Sequence, residues 1–231
     1  MSSSVVSSAV LIRCKGILFD MDGILISSLS SVERSWTKWA RMRGVDPEYA
    51  CRLTHGCRSI DTIAKLRPDL NAEAENRIIE EIEMEDVEGV TVLPGVLKLL
   101  AALPVSSWTV VTSATEPLAR VRLAAGGIPL PKQMVTSESV SQGKPDPAPY
   151  LAGADMLGLA HEECVVFEDA ATGTRSARAA GCTVVATTFS HSIESLSAAH
   201  YLIPDLTAVE MEGLSGEGEI QLRITPSAVQ A

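Results

Sequence analysis

Three features of this sequence predict an α/β fold, a Rossmann-like parallel sheet core flanked by helices with an inserted helical cap domain. Beyond residue 93, apolar runs of strand length alternate with helical patterns, the order that right-handed crossovers onto a parallel sheet produce. Apolar residues make up 46% of the 231 but aromatics only 4%, so the core is aliphatic, which suits buried parallel strands under helices better than an aromatic-rich sandwich. Between the first strand and the start of the alternation, residues 27–92 carry only helix and loop patterns and read as an insertion.

Residues 1–10 are Ser-rich without a basic start, and the apolar run from Ala9 is broken by Arg13 and Lys15. They are expected to be a disordered tail, not a signal or a membrane span. Residues 11–19 are largely apolar, as in a strand buried on both faces. Val32, Trp36, Trp39 and Arg43 then recur at helical spacing, with Gly44 as a stop and Asp46-Pro47 as a breaker. Ile60, Ile63 and Leu66 form a second stripe, and the acidic stretch from Asn71 carries Ile78, Ile79 and Ile82 on one side.

At Leu93-Pro94-Gly95 the pattern changes. Helices are expected over 95–103, 117–125, 147–157 and 173–180, and strands over 108–111, 134–135, 164–167 and 183–186. Residues 219–224 alternate after a Gly-containing turn and predict one edge strand. The expected division is a core of residues 11–26 and 93–231 and a helical cap of residues 27–92.

The formal charge of -10 argues against a non-specific grip on nucleic acid or an anionic membrane. Five scattered cysteines without a C-x-x-C pair favour neither a disulfide framework nor a zinc site, and a cytoplasmic location is expected.

Parallel sheets place ligands beyond the carboxyl ends of their strands. Here those ends carry Asp20-Met-Asp22-Gly23, Thr112-Ser113 and Glu168-Asp169, and the loop Gly143-Lys144-Pro145-Asp146-Pro147 aims one lysine. If these groups converge, four carboxylates repel one another, and a divalent cation with oxygen ligands, Mg²⁺ foremost, relieves the crowding. A cation beside Lys144 suits a phosphate, and a carboxylate can attack phosphorus to give an aspartyl-phosphate. Asp22, two residues on and on the same side of an extended chain, could pass a proton.

Asp20-Met-Asp-Gly-Ile-Leu25, Thr112 closing Trp-Thr-Val-Val-Thr, Lys144 in Gly-Lys-Pro-Asp-Pro and Phe167-Glu-Asp-Ala-Ala-Thr-Gly173 together resemble the four ordered motifs of the haloacid dehalogenase superfamily, across roughly residues 14–190. Within it the chain most resembles the sugar-phosphatase and β-phosphoglucomutase-like subgroup with a helical cap. The resemblance implies Asp20 as nucleophile and Asp22 as general acid/base. It implies Mg²⁺ held by Asp20, the backbone carbonyl of Asp22 and Asp169, with Glu168 close by. Thr112, the backbone of Ser113 and Lys144 would hold the phosphoryl group, and His55, Gly56 and Arg58 lie where related enzymes read their substrates. Ile24 stands where the family usually has Thr, and Ser27 where an acid commonly precedes Ser28.

An isolated D-x-D-G also occurs in calcium loops, but Ile24, Ile26 and Ser28 lack the further acids such a loop needs. Trp36 and Trp39 read as packing, and His161, His191 and His200 receive no role. The expected activity is hydrolysis of small sugar or polyol phosphates by a monomer or weak dimer, without nucleic acid or membrane partners. The alternative is a phosphomutase of the β-phosphoglucomutase type. A binding protein that keeps the fold without catalysis is the third possibility.

Overall fold

The computed structural model describes residues 8–54, 56–216 and 218–227; most of the expected tail and the whole of His55 lie outside the described residues. The run expected as one strand at 11–19 is two, β1 (Val10–Cys14) and β2 (Gly16–Phe19), and they belong to different sheets. Between them Lys15 turns its N–H to Glu163 O at 2.8 Å. A largely apolar run marks burial, but it does not say which sheet does the burying. In β2 all four residues are buried, whereas β1 has one partly wet face.

After the Asp20–Leu25 turn come β3 (Ile26–Ser27) and then α1 (Leu29–Arg43), α2 (Pro47–Arg52), α3 (Ser59–Leu66) and α4 (Ala72–Glu85). The punctuation read from sequence is used. Gly44 ends α1 in the left-handed region at φ 66°, Asp46 accepts from Tyr49 N to start α2, and Asn71 accepts from Ala74 N to start α4. Trp36, Trp39, Ala40, Ala50, Ile63, Ile79 and Ile82 form a hydrophobic cluster belonging to these helices alone. The segment is not all helix and loop, however. β4 (Thr91–Val92) pairs antiparallel with β3, so the chain leaves for the helices and returns through a two-stranded ribbon. Two residues a strand are too few to leave a periodic signal.

The alternation then runs α5 (Val96–Ala102), β5 (Trp108–Val110), α6 (Glu116–Ala125), α7 (Ala148–Leu157), β6 (Cys164–Glu168), α8 (Ala171–Ala179) and β7 (Thr183–Thr187). Residues 134–135 make a single bridge, Val135 with Val111, instead of a strand. Three strands complete the described chain: β8 (Tyr201–Ile203), β9 (Val209–Leu214) and β10 (Ile220–Ile224).

The central sheet has the order β5-β2-β6-β7-β8, parallel throughout, with helices packed against it, which makes the fold Rossmann-like α/β. The strand expected at an edge, β10, is instead the middle of a separate antiparallel sheet, β1-β10-β9. Its Ile220, Leu222 and Ile224 bury one face in the main core, and β1 takes the side that sequence alone left open. β2 lies between β5 and β6, so its end, the end of β5 and the end of β6 meet at the same rim of the sheet.

Candidate active site

Asp20 follows β2 directly, anchored by its N–H to Phe167 O at 3.0 Å, and is 6% exposed. Its neighbours come from three other segments. Lys144 Nζ donates to Asp20 Oδ1 at 2.6 Å, to Glu168 Oε1 at 2.7 Å and to Val111 O at 3.2 Å, so all three ammonium protons are committed. Glu168 closes β6 with both oxygens occupied: Oε1 also accepts from Tyr150 Oη at 2.9 Å, and Oε2 from the N–H groups of Asp169 and Ala170, each at 2.8 Å. Gly173 makes this possible, since a Cβ there would stand 1.6 Å from Glu168 Oε1. Gly23, at φ +88°, serves Asp169 in the same way, its absent Cβ being 1.9 Å from Oδ2.

Asp20, Glu168 and Asp169 each offer a carboxylate oxygen, these atoms lying within 4.8 Å of one another. Burial lifts the Asp20 pKa to about 7, with Glu168 and Asp22 adding to the rise and Lys144 opposing it. Asp169 is pushed well above the carboxylate range by burial, then by Glu168 and Asp20, against hydrogen bonding from Ser190. Burial alone would pull the Lys144 ammonium down, but Asp20 and Glu168 outweigh it and raise its pKa.

Asp22 lies apart from that cluster, with its side chain 31% exposed. Ser28 Oγ donates to its Oδ1, and Arg122 Nη1 stands 3.4 and 3.3 Å from its two oxygens. Thr112 caps locally, its Oγ1 accepting from Ala114 N at 3.1 Å. The following residue, Ser113, donates from Oγ to Gly56 O at 3.4 Å, and Thr172 Oγ1 reaches the same carbonyl at 3.1 Å.

A cavity of about 90 Å³ brings together Asp20, Asp22, Thr112, Ser113, Asp169 and Gly56, roofed by Trp36 and Glu83 from the helices. Lys144 and Glu168 stand behind this wall. Arg58 does not line the cavity: Asp61 holds its Nε and Nη2 at 2.8 and 3.0 Å, and its Nη1 donates to Val140 O at 3.2 Å, across to the core. His55 lies outside the described residues. Ile24 is 1% exposed in the main hydrophobic cluster, so its side chain fills core volume.

Several groups at the site leave little or no signal in the sequence. Tyr150 and Ser190 carried no signal, because each acts through a partner remote in sequence. His191 received no role, yet it lines the cavity and bonds through Nδ1 to Ser190 Oγ at 2.6 Å, while Ser190 Oγ also meets Asp169 Oδ2. Trp36 packs as expected and also lines the cavity. Arg122 and Glu83 did leave a trace: each is a charge at a buried phase of its helix, beside Leu118 and Leu123 in α6 and beside Ile79 and Ile82 in α4.

A family model for haloacid dehalogenase-like hydrolases matches residues 17–187, and the chain belongs to that family. Over 179 residues it is 45% identical to Hexitol phosphatase A of Escherichia coli (strain K12), covering 75% of this chain and 83% of that one. Over 220 residues it is 34% identical to Glycerol-1-phosphate phosphohydrolase 2 of Saccharomyces cerevisiae, covering 89% and 88%. The crystal structure of β-phosphoglucomutase from Clostridium difficile shares the fold with a TM-score of 0.75 at 17% identity, covering 86% of this chain and 94% of that one.

Proposed function

We propose that the protein is a Mg²⁺-dependent phosphatase of small sugar or polyol phosphates that works through an aspartyl-phosphate at Asp20. The observation that carries this reading is the cavity in which buried Asp20 meets Asp22, Thr112, Ser113 and Asp169, with Lys144 bonded to Asp20 from behind. The relatives' names, a hexitol phosphatase and a glycerol-1-phosphate phosphohydrolase, support the substrate class.

The donor set fits Mg²⁺. It is all oxygen and buried, and two of its carboxylates have pKa values raised by burial first and by neighbouring carboxylates second, charge that a hard cation would stabilise. Asp20, Asp169 and the backbone carbonyl of Asp22 would hold the ion, with Glu168, saturated by its four hydrogen bonds, fixing the wall beside them. Bound there, Mg²⁺ would supply positive charge against the phosphoryl oxygens.

The remaining chemistry falls to the chain. Thr112 Oγ1, the Ser113 N–H and Lys144 bind the phosphoryl oxygens, Lys144 exchanging one of its present acceptors for the ligand. An Asp20 oxygen attacks phosphorus, the ester P–O bond breaks, and the proton of Asp22 ends on the leaving alcohol. Water then attacks the aspartyl-phosphate, giving its proton to Asp22 and releasing phosphate. The helices of the 27–92 cap exclude bulk water during the first half and swing on the β3–β4 ribbon to admit substrate. Gly56 docks this cap onto Ser113 and Thr172, and Arg58 docks it onto the carbonyl of Val140.

Purified protein with Mg²⁺ and a panel of hexitol, glycerol, hexose and pentose phosphates is expected to release phosphate, and Asp20→Asn is expected to abolish the release. Conversion of glucose 1-phosphate to glucose 6-phosphate without free phosphate would return the phosphomutase reading, and release surviving Asp20→Asn would remove the mechanism.

A further inference from the structure

Arg122 stands at a core position of α6, its side chain 5% exposed. A guanidinium so placed needs facing charges. Two meet it from different parts of the fold: Nη1 stands 3.3 Å from Asp22 Oδ2, and Nη2 donates at 3.1 Å to Oε1 of Glu83, an α4 residue whose side chain is 4% exposed. The orientation has a cost, because Arg122 Nε is left buried with no partner. A contact serving only to pin α4 on α6 needs Glu83 alone. The fork is instead turned so that its two ends reach two carboxylates. Ser28, just ahead of α1, holds Asp22 Oδ1 from a second side, so both groups that fix this carboxylate are tied to the helical segment.

We propose that Arg122 is a positioning residue for Asp22, and that Glu83 makes this positioning depend on the seating of α4 against α6. The inference rests on the reading of Asp22 as the group that protonates the leaving oxygen. A carboxylate free to rotate presents either oxygen in any direction, whereas one held by Ser28 at Oδ1 and by Arg122 across both oxygens has a set plane. When α4 lifts, Arg122 loses the acceptor that orients its second nitrogen, and Asp22 loses its plane. Proton delivery is thereby confined to the roofed cavity, where water is excluded.

The test is the double variant Arg122→Met with Glu83→Gln, which removes both charges together so that neither is left buried alone. Phosphorylation of Asp20 is followed by rapid quench with glycerol phosphate, whose leaving alkoxide needs a proton, and with p-nitrophenyl phosphate, whose leaving group does not. The expected result is about a 100-fold slower reaction with glycerol phosphate and a much smaller slowing of the nitrophenolate burst. Equal slowing with both esters would mean a merely structural pair, and no slowing with either would mean no positioning; both overturn the proposal. Wild-type protein that gives no burst and no label on Asp20 would overturn the reading of the site itself, a result distinct from the other two. In protein free of Mg²⁺, Glu83→Gln is expected to speed amide exchange at Ile26, Ser27, Thr91 and Val92, and unchanged exchange would overturn the part assigned to Glu83.

Discussion

Lys144 is a buried ammonium between two buried carboxylates, its side chain 1% exposed beside Asp20 at 9% and Glu168 at 0%. Removing one member of such a group leaves uncompensated charge, so Lys144→Met is expected to lower stability by about 3–5 kcal/mol, read from the urea midpoint. Gly173→Ala drives a Cβ into Glu168 Oε1 and is expected to reduce activity together with stability, and wild-type behaviour would show that Glu168 can move. Residues of this kind were partly legible. Asp20, Asp22, Thr112, Ser113, Lys144, Glu168 and Asp169 are polar groups at strand ends or in a rigid loop, a pattern visible in one dimension, and the structure brings them to one rim. Tyr150 and Ser190 were not legible, and Arg122 and Glu83 showed only as charges at buried helical phases, because the meaning of these groups lies in contacts across 18, 21 and 39 residues of chain.

At the scale of elements, the strand and helix alternation after residue 93 was readable because each buried strand is a short apolar run and each helix a longer periodic one. The split of residues 11–19 was not, since β1 and β2 are both largely apolar and the run does not say that they pair in different sheets. β8 and β9 were also missed. β8 has only three residues, and β9 alternates glutamates with apolar residues beside a glycine. The elements so built enclose Cys14, Cys164 and Cys182, whose thiol pKa values burial pushes up to about 12, 11 and 12. Alkylation of the folded protein at neutral pH is therefore expected to spare these three and to label no more than Cys51 and Cys57, the two that are partly exposed. Rapid modification of Cys164 would mean that the β2–β6 region opens more readily than its packing implies.

For the whole molecule, the raised pKa values of Asp20 and Asp169 link stability to pH and to metal. Folded protein holds the Asp20 proton up to about 7, while the unfolded chain releases it near 3.8, so this contribution is complete below the lower value and is lost as pH rises through the higher. Asp169 acts in the same direction. Metal-free protein is expected to melt at lower temperature as the pH is raised from about 5 to about 8. Mg²⁺ held there as proposed would compete with these protons, so its stabilising shift is expected to be larger at the upper pH than at the lower. A shift of equal size at both would place the ion away from Asp20 and Asp169.

The proposed mechanism requires a carboxylate oxygen of Asp20 to bond to phosphorus. The direct measurement is borohydride reduction of enzyme quenched during turnover of glycerol phosphate with Mg²⁺, followed by peptide mass spectrometry. An acyl phosphate at Asp20 is reduced to homoserine, and homoserine is expected at position 20 and nowhere else. Continued phosphate release with an unmodified Asp20, or reduction at another carboxylate, would contradict it.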